Sequence, residues 1–479
     1  MSTDQPMAGR TRRPATRRFR RRFLAVVVVL ALVAALSAVI GAGQGPRLRD
    51  VSYSGTDLVT QPAQRVILTA NQSVEAVHAR DVTVSPRAAF TVSTSANAIA
   101  IQFSGPLQYQ RAYRIAVRDV RAPGQAARAT LTTTIRTGTT SVLSLLPGAD
   151  GGDDRIVRRA LAGTDTTTVF RSSGIEEFAR VGRFVVVVRN DAAGHSSIDL
   201  VPLAAGGAEP VEHVLLPTET GTVSALHVAD DGAAFGFVYA DTTTGQSRDV
   251  GLYVVDMGGT HLPAPVLPDG RVGAAERRAG AAGADAVPMT VSQWGFVPRT
   301  ESALVRSGTN DLFLVDATGG RAAVRLGSAT YLHGFVGTGT TAVVETGDAI
   351  ERLDLSTGRT SGLPAPAGAT DAEYLGRIAA ISADTYLRLV GQVRNDGTLD
   401  ARVIRVQGSR VRTLPVPAGS SAAITGVCPS PNGQLAAVLT RSSDGPLVLI
   451  VDTRSGALDA SIAATTTAWC QAIPSGSGI

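Results

Sequence analysis

The sequence predicts an all-β protein carried behind one apolar helix, on three observations. From about Pro46 onward, short runs of Val, Ile, Leu, Thr and Phe recur, punctuated by Gly, Pro, Asp and Asn roughly every 8 to 12 residues. Over the same span no long stretch carries the 3.6-residue periodicity of an amphipathic helix. Near the start, Phe23 to Ile40 runs for eighteen residues without a charge and with one polar side chain, Ser37.

That apolar run, taken as residues 23–43, reads as a transmembrane helix. At 1.5 Å per residue, about 20 residues cover a hydrocarbon core roughly 30 Å thick. Eight arginines lie between Arg10 and Arg22 against a single acid, Asp4. Arginines beside such a helix stay in the cytoplasm, so residues 1–22 form a basic cytoplasmic tail and the C-terminal portion is extracytoplasmic. The predicted location is therefore the cell membrane, single-pass, with membrane lipid as a partner of residues 23–43. A cleaved signal peptide is the competing reading, with Ala35-Leu36-Ser37 as its small-x-small site; the length of the run and of its basic flank favour a retained anchor.

Of 45 basic and 40 acidic residues, eight and one precede Phe23, leaving 37 and 39 in the remainder. The body is near neutral, so the high isoelectric point is no argument for nucleic-acid binding, and none is expected. The two cysteines, Cys428 and Cys470, fall in the part placed outside, where an oxidising compartment favours a disulfide between them.

Residues 46–136 hold about seven strand candidates, among them Arg65–Ala70, Asp81–Ser85, Ala98–Phe103 and Ala129–Arg136, which suits a small Ig-like sandwich. Tyr113 to Val120 alternates polar and apolar, as a half-buried strand does. Val82-Thr83-Val84-Ser85-Pro86, Pro106-Leu107-Gln108-Tyr109 leading into Tyr113–Val117, and the Thr-rich Leu131–Arg136 resemble the SbsA-like Ig-like domains of bacterial envelope proteins. The resemblance implies a spacer.

A Thr/Gly/Asp-rich passage, Thr137–Asp154, leads into residues 140–479, where a repeat shows. An apolar strand ends in Asp and Gly follows three or four residues later: Asp256 and Gly259, Asp316 and Gly319, Asp354 and Gly358, Asp452 and Gly456. The Asp side chain caps the turn and Gly takes the left-handed position. The mean period of about 49 residues is that of four-stranded sheets arranged radially, giving a β-propeller of about seven blades. Six continuous blades begin near Gly174, Thr222, Met289, Tyr331, Glu373 and Ala423. A seventh is composite: Arg155–Leu161 and Thr166–Arg171 supply outer strands, and Thr467–Ile473 supplies the innermost. Both ends of the segment then close the ring, with Cys428 and Cys470 on neighbouring inner strands. An Ala/Gly/Arg-rich insertion, Gly273–Ala286, reads as a loop. Pro429-Ser430-Pro431-Asn432-Gly433-Gln434-Leu435-Ala436, with a weaker copy at Asp230-Asp231-Gly232-Ala233, resembles the turn that opens the blades of TolB-like propellers. That likeness implies an envelope-located binding body.

Candidate chemistry is sparse. Gly194-His195-Ser196-Ser197-Ile198 starts like a nucleophile elbow but lacks its closing Gly. The six histidines, His78, His195, His213, His227, His261 and His333, show no metal-ligand spacing. Asp150-Gly151-Gly152-Asp153-Asp154 has the carboxylates of a calcium loop but reads as a linker. Trp294 and Trp469 are candidates for a pocket wall or for core packing, and Glu176-Glu177 for a solvated turn. No catalytic residue, cofactor or metal site is expected, and the chain reads as a non-enzyme: an envelope scaffold that presents a propeller face to a cell-wall polymer or another envelope protein. The alternative is a propeller lyase or glycosidase with its site at the channel mouth.

Overall fold

The computed structural model describes residues 15–42, 45–161, 163, 165–203, 210–218, 220–242, 248–273, 287–319, 321–347, 349–364, 374–393, 399–416 and 422–472. The insertion expected as a loop at Gly273–Ala286 lies, after its first residue, outside them. A helix spans Ala15–Ala42. Among the described residues no helix is long and apolar enough to cross a membrane.

The rest divides into two units. The first comprises residues 1–55, 63–104 and 111–136. It contains a four-stranded sheet, in the order Leu48–Ser52, Arg65–Ala70, Ala98–Phe103, Phe90–Ser95, and a three-stranded sheet of Val82–Ser85, Ala112–Arg121 and Arg128–Arg136. Alternate residues are buried along both: Val66, Leu68 and Ala70; Ile99, Ile101 and Phe103; Tyr113, Ile115 and Val117.

The second unit comprises residues 137–479 together with two short segments from earlier in the chain, 56–62 and 105–110. Its described residues form seven antiparallel four-stranded sheets, each open rather than closed into a barrel. Blade 1 is Ser141–Leu146, Asp154–Ala160 and Thr166–Ser172, with Thr466–Thr467 as its innermost strand. The innermost strands of blades 2 to 7 are Ile175–Val181, Gly221–Val228, Val291–Phe296, Tyr331–Phe335, Tyr374–Ser382 and Ala423–Pro429, and three further strands follow each in sequence order.

Why these strands read as unbroken apolar runs is now plain. In Phe184–Val188 of blade 2, Val185 and Val187 pack with Leu143, Leu145 and Ile156 of blade 1, while Val186 and Val188 pack with Phe235 and Phe237 of blade 3. In Leu447–Val451 of blade 7, Val448 and Ile450 face blade 1 through Val142, and Leu449 and Val451 face blade 6 through Leu387 and Leu389. Both faces of the sheet are covered, so both phases of the two-residue period must be apolar. Comparable cores join blades 3 to 4, 4 to 5 and 5 to 6.

Three of the four Asp–Gly turns follow the sequence reading; in the fourth Asp256 Oδ1 accepts from Gly258 N–H, but Gly259 does not take the left-handed conformation. Asp316 Oδ1 accepts from Thr318 N–H, Asp354 Oδ1 from Ser356 N–H, and Asp452 Oδ1 from Arg454 and Ser455 N–H. Gly319, Gly358 and Gly456 follow with φ of +79°, +69° and +75°. The C-terminal strand is shorter than expected. Pairing to Ser144 and Leu145 ends at Thr467, and Ala468–Ala472 turn into a 3-10 helix. Cys470 therefore stands on that turn, disulfide-bonded to Cys428 with 5.0 Å between the Cα atoms. Ile473 lies outside the described residues.

The bond ties blade 7 to the C-terminal piece of blade 1 across 42 residues. Chain entropy puts its contribution at about 4 kcal/mol. Denaturant unfolding of the full-length protein with and without reductant is expected to differ by that amount, with Cys470→Ser reproducing the reduced value.

Candidate functional site

The innermost strands converge on a central channel, and their pairing is not regular. In blades 2 to 7 each innermost strand slips in register against its neighbour, at Ile175/Glu177, Ser224/His227, Val291/Gln293, Leu332/Gly334, Leu375/Ile378 and Ile424/Gly426, and blade 6 slips a second time at Ala380/Ser382. A bulge frees backbone N–H groups from their own ladder, and polar side chains of the preceding blade capture several of them. Glu177 of blade 2 accepts from Ala225 N–H at 3.0 Å and Leu226 N–H at 2.7 Å in blade 3. Gln293 of blade 4 accepts from Leu332 N–H of blade 5 at 2.9 Å and from Arg306 Nε at 2.9 Å. His333 Nδ1 of blade 5 accepts from Ile378 N–H of blade 6 at 3.1 Å.

Glu177 is thus no solvated turn residue. It is a bridge between blades, and burial pushes its carboxyl up against the lowering effect of its two backbone donors. Trp294 also joins blades: 1 % exposed, it stands edge-on to His227 with centroids 4.8 Å apart and donates Nε1–H to Ala225 O at 3.1 Å.

Below the bulges, toward the hairpins that leave the innermost strands, lies a cavity of about 230 Å³. Arg180, His227, Asp230, His333, Thr338 and Ser430 supply its polar groups, drawn from blades 2, 3, 5 and 7. Phe296, Phe335, Ile378 and Ile381 supply much of its apolar wall, and Trp469 from the C-terminal turn completes it. The two turns singled out in the sequence stand at this end. In Ser430–Gly433 the Ser430 hydroxyl donates to Asn432 Oδ1 at 2.8 Å and accepts from Leu435 N–H at 3.1 Å, with Gly433 at φ +66°. Asn432 Nδ2 then donates to Leu107 O at 2.8 Å, and Tyr109 N–H donates to Gln434 Oε1 at 2.6 Å. These bonds bind segment 105–110 to the propeller.

His333 lines the cavity but has both ring nitrogens engaged. The bond from Ile378 N–H places the ring proton on Nε2, which donates to Glu345 Oε1 at 3.1 Å. Burial pushes the imidazole below its ordinary pKa and outweighs the raising effect of Glu345, so the ring is neutral at pH 7. Glu345 is held low, first by His333 and then by the buried Arg388, whose Nη2 is 3.9 Å away. At the cavity rim, crowding on its protein side pushes the Asp230 carboxyl up, with Asp231 adding to the effect and Arg299 opposing it.

The other histidines are scattered. His78 N–H donates to Asp81 Oδ2. His195 N–H donates to Asp191 Oδ1 at 2.8 Å. His213 pairs with Asp199 at 2.5 Å, where Arg189 also binds, and His261 pairs with Glu212 at 2.8 Å. Ser196, of the elbow-like stretch, accepts from Val223 N–H at 2.9 Å and donates to Asn190 Oδ1 at 2.7 Å, a clip between blades 2 and 3. Asp154 accepts from Gly148 N–H of its own loop and from Ile175 N–H of blade 2. Among the described residues no group of three or more His, Cys, Asp or Glu is placed to hold a metal ion. Sequence reading missed Arg180, Asp230 and the bridging role of Glu177. The hint available was the pair of turns at Asp230–Gly232 and Ser430–Gly433, which mark one end of the channel.

No protein-family model matches the chain, and no curated protein does. Solved propellers do. The periplasmic gluconolactonase PpgL of Pseudomonas aeruginosa is 14% identical, with a TM-score of 0.39, over 69% of this chain and 96% of that one. The oligogalacturonate lyase of Vibrio parahaemolyticus is 10% identical, with a TM-score of 0.41, over 62% and 87%. The β-propeller domain of the trilobed protease of Pyrococcus furiosus is 8% identical, with a TM-score of 0.41, over 74% and 95%. These likenesses concern the fold alone. They still correct the expectation of a non-enzyme: lactonase and lyase propellers are among the matches, so the missing linear motif does not make this chain non-catalytic.

Glu177→Ala is expected to cost about 2–3 kcal/mol, because two N–H groups lose their acceptor, and Glu177→Gln less, because one oxygen remains; denaturant unfolding measures both. His333 sets a pH dependence. Its folded pKa lies below the unfolded value of about 6.5, so the unfolded chain takes up the proton first and stability falls as pH drops below about 6.5. Between pH 7.5 and 5.5 the wild-type unfolding midpoint should fall more steeply than that of His333→Gln.

Proposed function

We propose that this chain is a membrane-anchored, extracytoplasmic binding protein of the cell envelope that takes its ligand in the channel cavity. The cavity carries the reading: apolar walls with a few convergent polar groups, assembled from inner strands far apart in sequence, are what small-ligand sites consist of. The ligand it fits is a small molecule, or an inserted side chain, with an apolar body and polar ends. A cell-wall polymer or another envelope protein would supply it.

The anchor is the helix Ala15–Ala42. Phe23, Leu24, Val26 to Leu30, Leu32 and Val33 are exposed on all sides of it, which suits lipid rather than water, and the arginines before Phe23 orient it with residues 1–22 in the cytoplasm. The disulfide fits an oxidising compartment beyond the bilayer. In this reading residues 46–136 form an Ig-like spacer of the SbsA-like kind and 140–479 a TolB-like propeller, supported by the two sheets of the first unit and by the Ser430–Gly433 turn.

One observation favours a second reading, an envelope lyase with its site in the same cavity. Asp230 stands at the cavity with its carboxyl pushed up by burial on its protein side, and a general acid or base is a carboxyl so placed. A glycosidase needs two carboxyl groups, and Asp230 is the one acid among the described lining residues.

Full-length protein should stay with the membrane through an alkaline carbonate wash. In detergent it should retain from envelope extracts a component that Thr338→Trp, which fills the cavity from a hairpin, no longer retains. Equal retention by the variant would overturn the cavity as the site. Under the second reading, Asp230→Asn would keep binding and lose turnover.

A further inference from the structure

One position of the hairpins that leave the innermost strands recurs around the channel cavity. In blades 3, 4, 5 and 7 these hairpins have the same turn: the N–H of Gly232, Thr300, Gly339 and Gly433 donates to the carbonyl three residues earlier. The residue that follows that carbonyl lines the cavity in all four, as Asp230, Pro298, Gly337 and Pro431. Pro suits the position because its fixed φ fits the second residue of a turn. The turn does not ask for Asp230. Its cap is the next side chain, Asp231, whose Oδ1 accepts from Ala233 N–H at 3.0 Å. Asn432 does the same in blade 7, accepting from Gln434 N–H at 3.1 Å. The Asp230 carboxylate therefore serves the cavity rather than the turn.

Its opposite charge stands next door. Among the described lining residues Asp230 is the one acid and Arg180 of blade 2 the one arginine. The hairpins of blades 2 and 3 touch: a Cβ added to Gly232 would lie 2.7 Å from Gly182 N. Arg180 Nε donates to Gly182 O at 3.3 Å, and Asp230 accepts a backbone N–H from Arg299. Each group is thus fixed to a hairpin, and guanidinium and carboxylate are not bonded to each other. The wall from blades 4 to 6 is apolar, built of Phe296, Pro298, Phe335, Ile378 and Ile381. The volume of about 230 Å³ is below the roughly 300–1,000 Å³ of sites for drug-sized ligands, so the occupant is small.

We infer that the channel cavity binds a free α-amino acid with an apolar side chain. The Arg180 guanidinium takes the α-carboxylate and the Asp230 carboxylate takes the α-ammonium, both by charge-assisted hydrogen bonds. The ligand's side chain lies against Phe296, Phe335 and Ile378. A dicarboxylate would set one charge against Asp230, and a diamine one against Arg180, so both are repelled. The inference rests on the reading of this cavity as the ligand site. It narrows the ligand to a hydrolysis product of envelope polypeptide rather than an inserted segment of one.

The test is titration calorimetry of the full-length protein in detergent micelles with two amino acids, L-leucine and L-phenylalanine. Each is compared with its amine lacking the carboxylate (isoamylamine, phenethylamine) and its acid lacking the ammonium (isocaproate, hydrocinnamate). At least one amino acid should bind, with its amine and its acid about tenfold weaker or worse. Glycine, without the apolar body, should give no heat. Arg180→Gln should weaken the amino acid about tenfold and leave the amine unchanged; Asp230→Asn should weaken it about tenfold and leave the acid unchanged. Both residues are exposed, so these variants keep the fold, and the crossed pattern is one that a folding defect does not give. Thr338→Trp should abolish binding, and Arg325→Gln, on an outer strand of blade 4, should not alter it. If wild type binds neither amino acid while Thr338→Trp still loses its envelope component, the inference falls and the channel reading stands. Equal retention of that component by Thr338→Trp overturns the channel reading itself. An amine or acid bound as tightly as its amino acid, or an Arg180 or Asp230 variant that weakens all three alike, would also overturn the inference.

Discussion

A four-stranded sheet with apolar residues on both faces has no stable existence in water, and the propeller unit follows from that. Val185 and Val187 need one neighbour, Val186 and Val188 need another. Every blade is in the same position, so the sheets must be stacked, and the stack leaves no outer face exposed only if its last member packs on its first. Here it does, through Val142 of blade 1 against Val448 and Ile450 of blade 7. The scarcity of aromatic residues is consistent with such cores: aliphatic side chains interdigitate at close quarters between sheets, and few large rings are needed.

Packing alone does not set how each blade meets the next. The bulges and their captors do that. A register slip exposes an N–H at a known height in the channel wall, and a Glu, Gln or His from the preceding blade meets it. Burying polar groups among valines is tolerable because each is paired, and the directional bonds fix an orientation that apolar contact leaves open. The same bulges turn side chains of the innermost strands toward the channel, so the device that sets blade angle also lines the cavity with His227 and His333.

Legibility in the sequence followed the range of the interaction. Blade starts could be read because continuous apolar runs and Asp–Gly turns are local: Tyr331 and Ala423 begin innermost strands as expected, and Ile175 follows Gly174 by one residue. The Cys428–Cys470 pairing could be read because two cysteines allow one bridge. Glu177 could not, since its partners lie 48 and 49 residues away and nothing nearby distinguishes it from a solvated acid. Nor could the attachment of 105–110 to the propeller, which depends on Asn432 and Gln434 more than 320 residues later. The cavity was invisible for the same reason: it is built from single residues of many strands, with no spacing to betray it.

The composite first blade has a consequence for biogenesis. Ser141–Leu146 is among the first propeller strands to be made, yet its inner partner, Thr466–Thr467, is among the last. Throughout synthesis that strand presents a bare row of backbone donors and acceptors, available for mispairing with another chain. Completion of the polypeptide removes the hazard in one step, and the disulfide at Cys470 then locks it away. A nascent chain interrupted anywhere before Thr466 would keep the unpaired edge and be open to quality-control proteases.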